Sequence, residues 1–129
     1  MNLQLISTRV DKLELLETSN FTEEPDGFGF KFANAYSEEC SDTFQVIFEM
    51  ELQISEGHQL SLKYTATFQL SETITDKFME SPFPRVNAPA IAYPFLRSFI
   101  GTFLLNAGYD PIMLPSVNFA AIDKQNANN

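Results

Sequence analysis

The sequence predicts an α+β domain, and three observations carry that class. Residues alternate between apolar and polar with a period of two in four segments up to residue 71, a proline-dense break follows at residues 81–89, and beyond it the apolar spacing becomes three and four. At 129 residues the chain is expected to form one domain over 1–129. A domain of this size hides roughly two-thirds of its unfolded surface.

The first strand is predicted at residues 9–17, where Leu13 and Leu15 face one way and Lys12 and Glu14 the other. The stretch NFTEEPD at 20–26, with proline and clustered acids, is a connection carrying a lone aromatic, Phe21. The second strand, 27–36, presents Phe28, Phe30 and Phe32 on one face. The third, 43–55, sets Phe44, Val46, Phe48, Met50, Leu52 and Ile54 against Gln45, Glu49, Glu51 and Gln53. In the fourth, 59–71, Leu60, Leu62, Tyr64, Ala66, Phe68 and Leu70 oppose Ser61, Lys63, Thr65, Thr67 and Gln69. The short glycine-containing link Ser55-Glu56-Gly57-His58 makes the last two a hairpin, hence antiparallel. A sheet with one polar face follows.

Residues 81–89, SPFPRVNAP, hold three prolines and are expected to continue neither strand nor helix. A helix is predicted at 93–106, with Pro94 in its first turn, Phe95, Leu96, Phe99, Ile100, Phe103 and Leu104 at helical spacing, and a stop at Asn106-Ala107-Gly108. Arg97 is its one charge, so this helix needs wide burial, and a second subunit is the natural cover. After an irregular stretch with Pro111 and Pro115, Asn118 is a fitting N-cap for a short last helix at 118–125.

Eight Lys and Arg against 17 Asp and Glu give a net charge of −9, which repels nucleic acid and anionic membranes. A single cysteine excludes an internal disulfide. The N-terminus lacks a signal-peptide pattern, and no apolar run is read as approaching the ~20 residues of a membrane span, so a cytoplasmic location without direct membrane insertion is expected. No catalytic residue, metal set or cofactor motif is read. His58 is expected as a solvated turn histidine, Cys40 sits among acids with no cation to activate it, and Glu49 and Glu51 read as a solvated face. GFGF at 27–30 lacks the third glycine of a dinucleotide motif. What stands out is 13 Phe without Trp, more apolar aromatic area than one small monomer is expected to hide.

The last third carries recognisable residues: Asn87-Ala88-Pro89 leading into Ala92-Tyr93-Pro94-Phe95-Leu96-Arg97, then Gly108-Tyr109, then Leu114-Pro115-Ser116-Val117-Asn118-Phe119. This resembles the SecB family of protein-export chaperones. The resemblance implies a four-stranded antiparallel sheet with two helices packed on one side, assembled as a homotetramer, a dimer of dimers, with Phe95, Phe99, Ile100 and Phe103 as candidate oligomer interface. It implies an ATP-independent holdase without a cofactor that binds unfolded preproteins or other non-native polypeptides and passes them to the SecA translocase. Phe21, Phe28, Phe30, Met113 and Phe119 are the candidate client-binding groove. Two features depart from the family. Lys12 and Lys63 fall on the sheet face where its SecA-docking patch is acidic, and the tail AIDKQNANN lacks the apolar residues that would extend a groove. A dedicated partner-binding relative, such as an antitoxin-specific chaperone, is the alternative reading, and an enzyme or small-molecule carrier a third.

Overall fold

A computed structural model describes residues 2–17, 28–55 and 57–127, with the backbone alone at Phe28, Ser55 and Ala127. Phe21 lies outside the described residues. Four strands, β1 (Leu3–Glu17), β2 (Phe28–Tyr36), β3 (Thr43–Ser55) and β4 (His58–Leu70), form one antiparallel sheet in the order β1-β4-β3-β2. The helices α1 (Asp76–Glu80), α2 (Ala88–Ala107) and α3 (Phe119–Ala127) pack on one side of it.

Strands β3 and β4 pair across the hairpin with Phe44 opposite Phe68, Phe48 opposite Tyr64 and Leu52 opposite Leu60, all six buried. Gly57, at φ 85, supplies the left-handed residue of the turn. Burying a Phe or Leu side chain is worth about 1.5–3 kcal/mol, whereas an exposed ion pair is worth about 0–1 kcal/mol. The apolar face therefore sets the register, since a slip by one residue would turn every one of these side chains to water. The outer-face bridge between Lys31 and Glu49, 3.0 Å, decorates that register.

Strand β1 begins at Leu3, well before the predicted residue 9, because its alternation changes phase twice. The pairing shifts register between Leu5 and Ser7 and between Val10 and Lys12. Each extra residue, Ile6 and Asp11, is a β-bulge, so the positions opposite core residues of β4 run Leu3, Leu5, then Thr8, Val10, then Leu13, Leu15. A strict period of two keeps Leu3 and Leu5 in phase with Leu13 and Leu15 and loses only the middle pair, Thr8 and Val10. Asp11 has a use at its bulge: it accepts the hydroxyl of Thr65, which is 3% exposed, and its carboxylate also meets Arg9 at 2.6 Å.

The proline-dense stretch is helical, contrary to the sequence expectation. Phe83–Asn87 forms a π-helical turn that runs into α2, so the helix starts well before residue 93. Pro82 occupies the N-cap with φ −68, Pro84 lies in the first turn of the π segment and Pro89 in the first turn of α2. Proline is preset for helical φ, and at Pro82 and Pro84 its missing N–H costs little because a helix start leaves that group without a partner, whereas Pro94, expected in a first turn, lies inside α2. Helix α1 was not foreseen either. Thr75 caps it by accepting the Phe78 N–H at 3.1 Å, and Phe78 is buried with its ring stacked on Phe83.

Helix α2 buries Ala88, Pro89, Ala92, Tyr93, Leu96, Ile100 and Leu104. It ends as expected at Gly108, φ 95, where the N–H of Tyr109 reaches the Leu104 carbonyl at 2.9 Å. Asn118 caps α3 by accepting the Ala121 N–H at 3.0 Å.

Candidate functional site

Strand β2 lies at a sheet edge, and its inward residues lay down a floor that changes character along its length. Phe30 sits 5.8 Å from Phe48, 5.8 Å from Tyr93 and 6.3 Å from Phe119, while Phe32 meets Phe119 edge-on at 5.2 Å. Two residues further, Asn34 replaces the aromatic and donates its amide to the Pro84 carbonyl at 2.8 Å. The floor thus passes from aromatic to polar within one strand.

Helix α3 forms the opposite wall. Between it and the edge of β2 runs a groove of about 450 Å³, lined by consecutive β2 residues from Phe30 to Asn34 and by Arg85, Ile122, Asp123 and Asn126. Consecutive lining residues mean that the strand's edge itself, with its main-chain donors and acceptors, opens into the groove. At the polar end Arg85 Nε lies 2.8 Å from an Asp123 carboxylate oxygen. The Nε–H is not aimed at that oxygen, so the contact is an ion pair without a hydrogen bond. The tyrosines flanking the floor are held neutral: burial pushes the Tyr93 and Tyr36 hydroxyls up, against the opposing charges of Arg97 and Arg85.

A larger depression, about 520 Å³, lies on the outer sheet face over Gly29. Its rim is a cross-strand row, Lys12, Lys63, Glu49 and Lys31, with Glu14 and Glu51 beside it. Lys12 bridges Glu14 at 3.4 Å, and a hydrogen bond from Lys31 with its charge holds the Glu49 carboxyl below its usual range. Solvated, mutually bridged charges offer little apolar area, so the edge groove is the better binding site. Glu49 and Glu51 do face solvent, and Cys40 is an exposed free thiol. His58 differs from expectation: it opens β4 and packs its ring 5.6 Å from Tyr109. Among the described residues no group of three or more metal-ligating side chains occurs.

The family described as preprotein translocase subunit SecB matches residues 20–129. The chain belongs to the SecB family. The protein-export protein SecB of Afipia carboxidovorans is 30% identical over 67 residues, covering 52% of this chain and 40% of that protein. That of Anaplasma marginale is 29% identical over 80 residues, 62% of this chain and 45% of the other. The matched segments thus span less than half the length of these relatives. Among solved structures, a SecB-like chaperone of Mycobacterium tuberculosis in complex with a ChAD peptide from the HigA1 antitoxin shares the fold with a TM-score of 0.65 at 13% identity, over 89% of this chain and 90% of that one. A Streptococcus agalactiae protein of unknown function aligns with a TM-score of 0.53 at 12% identity, over 90% and 98% of the two chains.

Within this SecB fold the expected groove residues divide. Phe30 and Phe119 meet in the aromatic floor, with Phe119 itself buried at 3% exposure. Phe28 pairs through its backbone with Leu52. Met113 stands 87% exposed on the connection between α2 and α3, away from the groove lining. Of the expected interface residues, Phe95 is half exposed, Phe99 and Phe103 are half-buried and stacked on each other, and Ile100 is fully buried inside the chain. Ile100 thus serves this chain's own core. Phe95 shares an outward stripe with Ile91 and Leu105, both exposed. Sequence reasoning missed Phe32, Tyr93, Ile122 and the Arg85–Asp123 pair as groove elements. For Phe32 the signal was present, two residues beyond Phe30 on the same face. The apolar run is longer than the sequence expectation: the helical run Phe83–Ala107 spans 25 residues and is long and apolar enough to cross a membrane by length and composition alone. Its buried face against the sheet is that of a core helix.

Proposed function

We propose that this SecB-family chain is an ATP-independent holdase that binds non-native polypeptide in the groove between β2 and α3, a binder rather than an enzyme, working in the cytoplasm. The observation that carries the reading is a strand edge, unpaired among the described residues, beside an aromatic floor: an extended client gains main-chain hydrogen bonds from the edge and apolar burial from Phe30, Phe32 and Ile122. Neither contact reads a unique sequence, and a partner that binds only unfolded chains draws them away from folding and aggregation by mass action.

Assembly as a homotetramer fits the outward stripe of Ile91, Phe95 and Leu105 on α2, which leaves large apolar side chains exposed on one chain. Delivery to SecA is the finer part of the reading. The lysine-bearing row on the outer sheet face makes a docking surface of mixed charge, so export need not be this chain's only task. A dedicated chaperone for one partner, such as an antitoxin, is the second reading, favoured by the antitoxin peptide held by the Mycobacterium tuberculosis neighbour.

The test is light-scattering mass of the purified protein with and without an excess of a reduced, non-folding polypeptide. A stable complex that is lost in Ile122→Asp supports the holdase reading. Absence of any complex removes it, and capture of one antitoxin but no other unfolded chain replaces it with the second reading.

A further inference from the structure

The α3 wall is held at two points, and the second of them is a charge pair. Helix α3 has 9 residues, short of the ~12–15 at which an isolated helix is even marginal, so its seat comes from tertiary contacts. Phe119 pins the first turn: its side chain is buried and its ring meets Phe30, Phe32 and Tyr93. One turn further on, the Asp123 carboxylate meets Arg85 at 2.8 Å. Among the described residues this is the one side-chain polar contact from α3 to another element, and the helix packs chiefly on the π-helical turn rather than on a strand.

A continuous set of contacts leads from the floor to that second point. The Asn34 amide on β2 donates to the Pro84 carbonyl at 2.8 Å, and the next residue, Arg85, holds Asp123. Beside Asp123 in the chain stands Ile122, the apolar side chain that α3 presents to the groove. Strand, turn and helix thus close a ring around the polar end. Without the pair, α3 keeps its pivot at Phe119 but loses the restraint on its direction, and Ile122 is no longer held at one distance from Phe30 and Phe32. Each charge of the pair faces the other, so its use is geometric and not a preference for charged clients.

Resting on the holdase reading, we propose that Arg85 and Asp123 are positioning residues whose ion pair sets the spacing between the α3 wall and the β2 floor at which an extended client is held. Capture then depends on the pair although neither residue needs to touch the client. It also depends on salt, because the two side chains are 43% and 25% exposed and their attraction is open to screening.

Fluorescence anisotropy of a fluorescein-labelled, reduced, non-folding polypeptide tests this on Arg85→Gln, Asp123→Asn, the two combined, and Arg85→Lys. Each of the first two is expected to weaken capture about two- to fivefold through faster release, the range a partly exposed ion pair supplies. The combined variant should be no weaker than either single one, because both changes remove the same interaction. Arg85→Lys keeps the charge and should stay closer to the native chain than Arg85→Gln does. Raising NaCl from about 0.05 M to about 0.5 M should weaken capture by the native chain more than by the combined variant, whose net charge is the same. Urea unfolding establishes that each variant is folded, and a pair that merely stabilised the fold would leave the affinity per folded molecule unchanged. Unchanged affinity in both single variants, losses that add in the combined one, or an Arg85→Lys no better than Arg85→Gln overturns the proposal. Tighter capture by the single variants overturns it too, since the pair would then be shutting the groove. In all of these cases the native chain still binds and the holdase reading stands. If the native chain captures nothing, both fall.

Discussion

The Tyr93 hydroxyl donates to the Pro115 carbonyl at 2.7 Å, tying the middle of α2 to the connection that leads into α3. The same ring touches Phe30, Phe48 and Phe119, so one side chain links the helix, the floor of the groove and its wall. Tyr93→Phe keeps those ring contacts and removes only the hydrogen bond. Because Pro115 is exposed, water can replace the lost donor, and the cost should lie near the low end of the usual ~0.5–1.5 kcal/mol. Urea unfolding measures that cost. Hydrogen exchange in α3 should rise more than exchange in β3 and β4, because the bond restrains the wall and not the sheet.

Oligomerisation is tested at Phe95 rather than at its neighbours. Phe95 is 51% exposed, whereas Phe99 stacks on Tyr64 at 6.0 Å and Ile100 is fully buried, so a charge at either of those sites would also damage the monomer. Phe95→Asp should leave the far-UV circular dichroism spectrum unchanged and lower the mass found by light scattering. A folded variant with unchanged mass places the interface elsewhere on the chain.

Much of this architecture is legible in the sequence wherever one physical rule acts alone. Strands β3 and β4 alternate without interruption because both are central and one face of each is buried throughout. At β1 two bulges shift the phase, so that Val10 faces inward and Leu13 does as well, although they are three residues apart. Residues 83–92 defeat the proline rule because Pro84 falls in the first turn, where helical N–H groups lack partners, and Pro89 at the junction where the π-helical turn passes into α2. In the groove, Phe30 and Phe119 stand out by their aromatic character. Arg85 and Asp123 do not, since only the seating of α3 against the π-helical turn brings the two together.

Gly108 ends α2 with φ 95 and open space around the position where a Cβ would stand. Gly108→Ala therefore introduces no clash, and its whole cost is left-handed backbone, roughly 1–2 kcal/mol. An unfolding free energy lowered by that amount, read as a lower denaturant midpoint with an unchanged m-value, is the expected result. A change in m would mean that the connection to α3 had come loose as well.

Acid sensitivity should centre on Asp11. The hydrogen bond from Thr65 and then that from Arg9 hold its carboxyl below the ordinary value of 3.8, outweighing the small opposing effect of burial. A carboxyl whose pKa is lower folded than unfolded contributes stability that is fully present above the unfolded value and is lost as pH falls through the folded one. The contribution of Asp11 is thus intact at neutral pH and disappears in the acid range below 3.8. Asp11→Ala should lower the thermal midpoint at pH 7 and flatten its further decline between roughly pH 4 and pH 2. Thr65→Val separates the two partners: it removes the larger of the two hydrogen bonds and also the buried hydroxyl that needed Asp11, so its cost at pH 7 should be smaller than that of Asp11→Ala, which leaves that hydroxyl without its acceptor. Were both variants to retain the full acid dependence, some other carboxylate would govern the unfolding, and the bulge at Asp11 would serve strand geometry alone.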